Sequence, residues 1–330
     1  MFPRMTVLQN WLETQLAIRA PELIPITNDA SFRRYFRVIV NDDSFIVMDA
    51  PPDKENCKPF IDIAQRLQTS GLNSPKIIAS DLELGFLLLS DFGFQLYLPA
   101  LEGGQIDKLY GDALDALLVM QTRTPTEGLP PYDHQLLHKE MSLFTEWLVG
   151  QHLNLSLSIA EQTELETCFE LLSQSALAQP QVFVHRDYHS RNLMIVPEHN
   201  PGILDFQDAV KGPITYDLVS LLRDCYIAWP RAQVNEWAKR YYIQIQSTNF
   251  TDNIDETQFL RWFDWMGIQR HLKASGIFAR LYHRDGKSGY LKDIPRTLNY
   301  IVEVGADYPE LAILHKIVSQ QVLPAMKQKL

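Results

Sequence analysis

The 330-residue sequence predicts an α+β fold in two lobes: a small strand-rich N-terminal lobe over residues 1–92 and a larger, mainly helical C-terminal lobe over residues 93–330. Three observations carry this. Short β-like runs crowd the first hundred residues. Seven stretches with apolar residues at helical spacing follow (106–122, 135–150, 161–178, 215–228, 231–246, 256–282 and 308–322). The few strands set among those helices bracket one polar loop, residues 185–192.

In chain order, Val7, Leu8, Trp11, Leu12 and Leu16 lie at helical spacing, so residues 4–18 form an amphipathic helix. Runs at 35–40 and 45–48 flank the turn signal Asn41-Asp42-Asp43-Ser44 and make a hairpin. Further strands fall at 76–79 and 86–89. Between them Ile61, Ala64, Leu67 and Gln68 mark a helix that stops at Gly71. In the second half, strands are expected at 181–184, 193–196 and 202–204. The Pro-rich stretch 124–132 reads as a loop, and Gly212-Pro213 as a turn before a helix.

Composition narrows the function. Hydrophobic residues are 46% and charged residues 21%, enough for a real core. The net charge of −10 and the lack of a dense Lys/Arg run exclude nucleic acid and anionic membrane surfaces as partners. Any phosphate must therefore be met locally. Cys57, Cys168 and Cys225 are odd in number and far apart, which argues against a disulfide framework or a structural zinc site. The N-terminal residues lack a signal-peptide pattern and no window reaches membrane-span length, so a soluble cytoplasmic protein is expected. The sequence carries no signature of oligomeric state.

The chemistry is concentrated in residues 182–208. An apolar strand delivers His185-Arg186-Asp187; Asn192 follows five residues after Asp187; a second strand, a turn and a third strand deliver Asp205. Phosphoryl transfer needs such a set: one carboxylate to orient and deprotonate a hydroxyl, and a carboxylate with an amide to hold Mg²⁺ against the phosphates. HRDYHSRN followed by ILDFQD resembles the catalytic loop and metal motif of the aminoglycoside phosphotransferase / protein-kinase-like superfamily. The resemblance implies a bilobal protein-kinase-like fold, ATP as donor, Asp187 as base, and Asn192 and Asp205 as Mg²⁺ ligands. It implies a supporting role for His185. His189, where Ser/Thr protein kinases carry Lys and small-molecule kinases commonly His, would approach the transferring phosphate. Asp217 follows Asp205 by only 12 positions, too few for a polypeptide-seating activation segment, so the acceptor is small. Asp217 is expected as a cap or strut beneath the loop.

The nucleotide end is less regular. Asn28 to Arg37 occupies the place of a phosphate-covering loop; Ser31, Phe32, Arg33 and Arg34 are its candidate contacts, with a plain hairpin turn as the alternative. Asp91-Phe92-Gly93 spells a kinase metal motif but lies far before Asp187. Residues 88–92 read instead as the hinge, with Ser90, Asp91 and Phe92 beside the adenine, against the alternative of an unliganded loop. The usual phosphate-pairing Lys is missing: Met48 and Asp49 stand in its place. Arg34, Arg37 or Lys54 would substitute, or the site would lean on Mg²⁺, or catalysis would have been lost.

Five stretches (NDASFRRYFRV, IVMDAPPDKENCKPF, HRDYHSRNLM, ILDFQDAVKGPITYDLVSLLRDCY and QRHLKASGIFARLYHRDGKSGYL) together resemble the bacterial anomeric kinases of N-acetylmuramate and N-acetylglucosamine in cell-wall recycling. The resemblance implies an amino sugar as acceptor. An anomeric hydroxyl is more acidic than an ordinary alcohol, which suits a carboxylate base. Gln207, Asp208, Arg223, Asp224 and Arg270, with His271 and Lys273, are candidate sugar contacts, each also readable as a surface or strut residue. The stripe Trp262, Phe263, Trp265, Met266, Phe278 and Leu281 reads as core. Two alternatives stand beside this: a kinase for another small alcohol (an aminoglycoside, choline or homoserine), and a non-catalytic pseudokinase.

Overall fold

The hairpin expected around Asn41 forms the centre of a sheet in the computed structural model, which describes residues 3–26, 32–248 and 254–329. Strands β2 (Arg34–Val40) and β3 (Asp43–Asp49) pair antiparallel, with Arg34 opposite Asp49 and Val40 opposite Asp43. Asn41 takes a positive φ of 55° in the tight turn, a conformation Asn tolerates better than most residues. The short β1 (Ile24–Ile26), β4 (Ile77–Asp81) and β5 (Phe86–Ser90) complete five antiparallel strands in the order β1-β2-β3-β5-β4.

The chain divides into two compact units: Met1–Asp112 with Asn192–Asp208, and Ala113–Arg191 with Ala209–Leu330. In the first unit, α1 (Pro3–Leu16) lays Leu8 and Leu12 on the sheet against Phe36, Val38, Val47, Phe86 and Leu88. Alternate strand residues face that core, as the two-residue period requires. Helix α2 (Cys57–Thr69) is capped by the Asn56 side chain, which accepts from Lys58 N–H. It buries Phe60, Ile63, Ala64 and Leu67. Helices α3 (Tyr97–Glu102) and α4 (Ile106–Arg123) follow, α4 running on into the second unit. The first unit also holds the small ribbon β7 (Leu193–Met194) with β8 (Gly202–Ile203).

The second unit is built on α9 (Glu256–Asp285), a 30-residue helix capped by Asp255 and ended by Gly286 at φ 69°. Around it lie α5 (His134–Leu143), α6 (Ile159–Leu177), α7 (Tyr216–Leu222), α8 (Arg231–Gln246) and α10 (Ile294–Gly305). Strands β6 (Gln181–Val184) and β9 (Val210–Pro213) pair antiparallel beneath the polar loop. Helices α11 (Ala312–Ile317) and α12 (Leu323–Lys329) close the chain. The stripe from Trp262 to Leu281 is buried, as expected of core. Among the described residues no helix is long and apolar enough to cross a membrane.

The differences from expectation have local causes. The helix expected over 135–150 changes to π-helical winding at Phe144–His152, beside the point where Gly276 of α9 presses on the backbone of Leu143 and Phe144. Gly212-Pro213 is the end of β9 rather than a turn; Pro213 sits opposite Gln181 at the last pair, where its missing N–H breaks no interior ladder bond. The helix expected over 215–228 stops at Leu222, because Asp224 turns away to hold the polar loop. Helix α10 and strand β1 were not anticipated.

Candidate active site

The second unit carries the loop that holds Asp187. Strand β6 ends at Val184, and the next two backbone N–H groups donate to the buried Asp217 carboxylate: His185 at 2.6 Å and Arg186 at 3.0 Å. Asp217 is thus the strut that the sequence suggested. Burial pushes its carboxyl up to about 7, against the two N–H donors, which favour the anion. The strut leaves Arg186 at a positive φ of 77°, an uncommon state for a non-glycine that the surroundings must hold. His185 Nδ1 accepts from the Asp187 N–H at 3.2 Å. Farther along, Asp224 fastens the loop by accepting from Ser190 N–H at 3.0 Å and from its hydroxyl at 2.5 Å.

Asp187 projects from this braced loop. Burial alone would raise its pKa, but Lys273, His189, Arg270 and Arg186 outweigh it and hold the carboxyl below its ordinary range. His189 is itself pushed down by burial, so near neutrality it is uncharged and the three permanent cations keep Asp187 ionised. Two of those cations are anchored by Glu140 of α5, which lies 2.5 Å from Arg186 Nη2 and 3.1 Å from Lys273 Nζ, and which also accepts from the Tyr132 hydroxyl. Lys273 further donates to Tyr216 Oη at 2.8 Å. Arg270 is buried and donates to Cys225 Sγ at 3.5 Å.

The first unit carries Asn192 and Asp205. Asn192 Nδ2 donates to Asp205 Oδ2 at 3.3 Å, and Gln207 Nε2 donates to Asp205 Oδ1 at 2.9 Å. Asp205 has a φ of 62°, and the next residue, Phe206, is buried with its ring 4.8 Å from Phe60 of α2, which fixes the direction of Asp205. An amide and a carboxylate held together are hard oxygen donors of the kind Mg²⁺ takes one or two of, keeping waters and phosphate oxygens for the rest. Among the described residues no group of three His, Cys, Asp or Glu is set to enclose a metal alone. Asp208 is exposed beside this pair.

At the nucleotide end Ser31 lies outside the described residues. Phe32 is 64% exposed, and its N–H donates to Glu55 Oε1 at 3.2 Å. Arg33 pairs with the same carboxylate, 2.9 Å from Glu55 Oε2. The fields of Arg33, Asp205 and Glu55 all act on Tyr35, which places these groups in one neighbourhood. The three cations weighed for the missing Lys are engaged elsewhere. Arg34 pairs with buried Asp49, Arg37 lies 2.5 Å from Asp91, and exposed Lys54 is 3.8 Å from Asp53. In the segment expected as the hinge, Ser90 Oγ accepts from Lys76 N–H at 2.8 Å, and Asp91 takes Arg37 and the Gly93 N–H. The Phe92 ring covers Gly202, where an added Cβ would lie 2.7 Å from Cδ2.

Of the candidate sugar contacts, Arg223 is turned to Asp264 at 2.5 Å and Asp224 to the loop, while Gln207 and Arg270 stay with Asp205 and Asp187. Sequence reasoning missed Glu140, although it is the lone acid among the buried residues Leu137, Glu140 and Met141 of α5. It also passed over Arg191 and Tyr226, whose guanidinium and ring lie 3.7 Å apart.

The model of the phosphotransferase enzyme family matches residues 22–260. A Pseudomonas putida protein named N-acetylmuramate/N-acetylglucosamine kinase is 46% identical over 327 residues, covering 96% of both chains. A protein of the same name from Pseudomonas aeruginosa is also 46% identical, over 96% of this chain and 92% of its own. Among solved structures, a choline kinase from Streptococcus pneumoniae superposes with a TM-score of 0.65 over 92% of this chain and 99% of its own, at 13% identity. That likeness speaks for the kinase-like fold.

Proposed function

The chain belongs to the phosphotransferase enzyme family, and from that premise we propose that it transfers the γ-phosphoryl group of ATP to the anomeric (C1) hydroxyl of N-acetylmuramate and N-acetylglucosamine, as a cytoplasmic step of cell-wall recycling. The observation that carries the chemistry is Asp187: buried, braced by its loop, and kept ionised by Lys273, Arg270 and Arg186. The near-full-length relatives named for these two sugars support the acceptor.

In this reading the anomeric hydroxyl gives its proton to Asp187 as its oxygen bonds to the γ-phosphorus. The bond from that phosphorus to the bridging oxygen breaks, and ADP leaves. Asn192 and Asp205 would hold Mg²⁺, which when bound neutralises phosphate charge; Gln207 orients Asp205. Neutral His189 offers an N–H to the transferring group. Arg33, steadied by Glu55, takes the place of the absent Lys at the nucleotide phosphates, with Ser31, Phe32 and Arg34 on the same segment. Ser90, Asp91 and Phe92 form the hinge at the adenine, at the end of a nucleotide lobe over residues 1–92. The cations around Asp187 disfavour choline or an aminoglycoside as acceptor.

ADP release from Mg-ATP tests this with both acetylated sugars, kanamycin, choline and homoserine. Turnover is expected with the sugars alone. Asp187→Asn should keep its circular dichroism and lose about 10²–10⁴-fold in kcat; Asp205→Ala should also weaken Mg-ATP binding. Near-normal kcat in either variant would remove that residue from the mechanism.

A further inference from the structure

Two of the buried polar atoms that the second unit leaves without partners lie on His189 and Asp293, which share an aromatic neighbourhood with Arg191. His189 Nδ1 is buried and has no hydrogen-bond partner. Asp293 is 5% exposed; its Oδ1 takes Arg296 at 3.1 Å, while Oδ2 is buried and accepts from nothing. The Arg191 guanidinium lies 3.7 Å above the Tyr226 ring and 5.8 Å from the Tyr290 ring, and makes no ion pair with a carboxylate among the described residues. Its neighbours are otherwise: Arg186 pairs with Glu140 and Arg223 with Asp264. The aromatic rings bind these groups into one place. His189 is 5.2 Å from Tyr226, Tyr226 is 6.1 Å from Phe278, and Phe278 stacks on Tyr290 at 5.5 Å. Arg191 and Asp293 feel each other's charge across it.

Buried polar atoms are nearly always satisfied, so a group of orphans beside a catalytic base marks where a ligand supplies the partners. Their chemistry says what kind. Aromatic faces suit the apolar face of a sugar ring. A carboxylate oxygen without a donor suits a hydroxyl or amide N–H. A guanidinium that stays charged and is fixed flat on a tyrosine presents the fork that a carboxylate fits. Arg270 also lacks a carboxylate partner, but it is buried behind Cys225, whereas Arg191 is only half-buried and can be reached.

We propose that Arg191 reads the carboxylate that N-acetylmuramate carries and N-acetylglucosamine lacks, in an acceptor subsite walled by Tyr226 and Tyr290 and floored by Asp293 and His189. The inference rests on the acceptor class proposed above and adds the residue that separates its two members. N-acetylglucosamine binds the same wall and floor and leaves Arg191 to water.

The test is kcat/KM for both sugars in the wild type, Arg191→Gln and Arg191→Lys, each checked by thermal unfolding. A lost charge-assisted contact is worth about 10- to 100-fold. The ratio of N-acetylmuramate to N-acetylglucosamine efficiency should fall by that factor in Arg191→Gln and recover in part in Arg191→Lys. Equal losses on both sugars, or no loss, overturn the proposal, because a residue that only shapes the loop leaves the ratio unchanged. A wild type inactive on both sugars would instead defeat the acceptor assignment itself, before any variant is compared.

Discussion

Replacing Glu140 with Ala tests the electrostatic frame around the base. The Glu140 side chain is 7% exposed and meets Arg186 at 2.5 Å, Lys273 at 3.1 Å and the Tyr132 hydroxyl. Removing one partner of a buried pair typically costs about 3–5 kcal/mol, because the other charge stays in a medium that solvates it poorly. Here two cations are stranded, and Tyr132 loses its acceptor for about 1 kcal/mol more. The total is about 4–6 kcal/mol, or a melting temperature lower by roughly 10–20 °C for a unit of this size. Tryptophan fluorescence and calorimetry would follow unfolding. Lys273→Met supplies the control. With one cation already gone, Glu140→Ala should cost about half as much, so the two changes should show a coupling of roughly 2 kcal/mol. A cost under about 1 kcal/mol, or the same cost in both backgrounds, would mean that solvent and not Glu140 balances these charges.

Two further perturbations follow from packing and burial. His271 is buried with its Nε2–H donating to the Arg223 carbonyl at 2.9 Å and its ring on Tyr300; burial and the neighbouring Arg270 and Arg223 hold its pKa down to about 3. The unfolded chain takes that proton near the ordinary histidine value of 6.5 and the folded one does not, so stability is full above that pH and falls by about 1.4 kcal/mol per unit toward 3; urea titrations should show the slope reduced in His271→Gln, and an unchanged slope would assign it to other groups. Gly276→Ala would gain helix propensity of about 1 kcal/mol. Its Cβ would meet the carbonyl of Leu143 and approach Phe144 N to 2.6 Å, so a net loss of about 1–3 kcal/mol is expected by thermal unfolding, and a gain would show that α9 can shift freely.

The chemistry was more legible in the sequence than the scaffold. Asn192 and Asp205 stand at a spacing that strand–turn–strand geometry turns into a hydrogen bond, Asp187 follows directly on an apolar strand, and the apolar runs make those strands plain. The hairpin was equally plain, since period-two alternation and Asn41 agree. Helix α10 was readable and overlooked: Ile294, Leu298, Ile301 and Val304 keep helical spacing, and Pro295 suits a helix's first turn. The π-helical turn was not readable, because the backbone packed against its start, at Gly276, lies more than a hundred residues away. The same holds for the binding roles. Arg223 and Asp224 are charged residues downstream of Asp205 like the other candidates, and only folding shows them taken by Asp264 and Ser190. Arg191 gave no signal, because a cation stacked on Tyr226 looks in sequence like any other surface arginine.

The claim that Asp187 works on an anomeric hydroxyl has a direct chemical readout. A sugar phosphorylated at C1 no longer has a reducing end, whereas phosphorylation at any other hydroxyl preserves it. Reducing equivalents should therefore be counted against ADP formed from Mg-ATP and N-acetylglucosamine. The account predicts one reducing end lost per ADP, with both changes absent in Asp187→Asn. ADP formed with the reducing ends intact would place the phosphoryl group elsewhere on the sugar and contradict it.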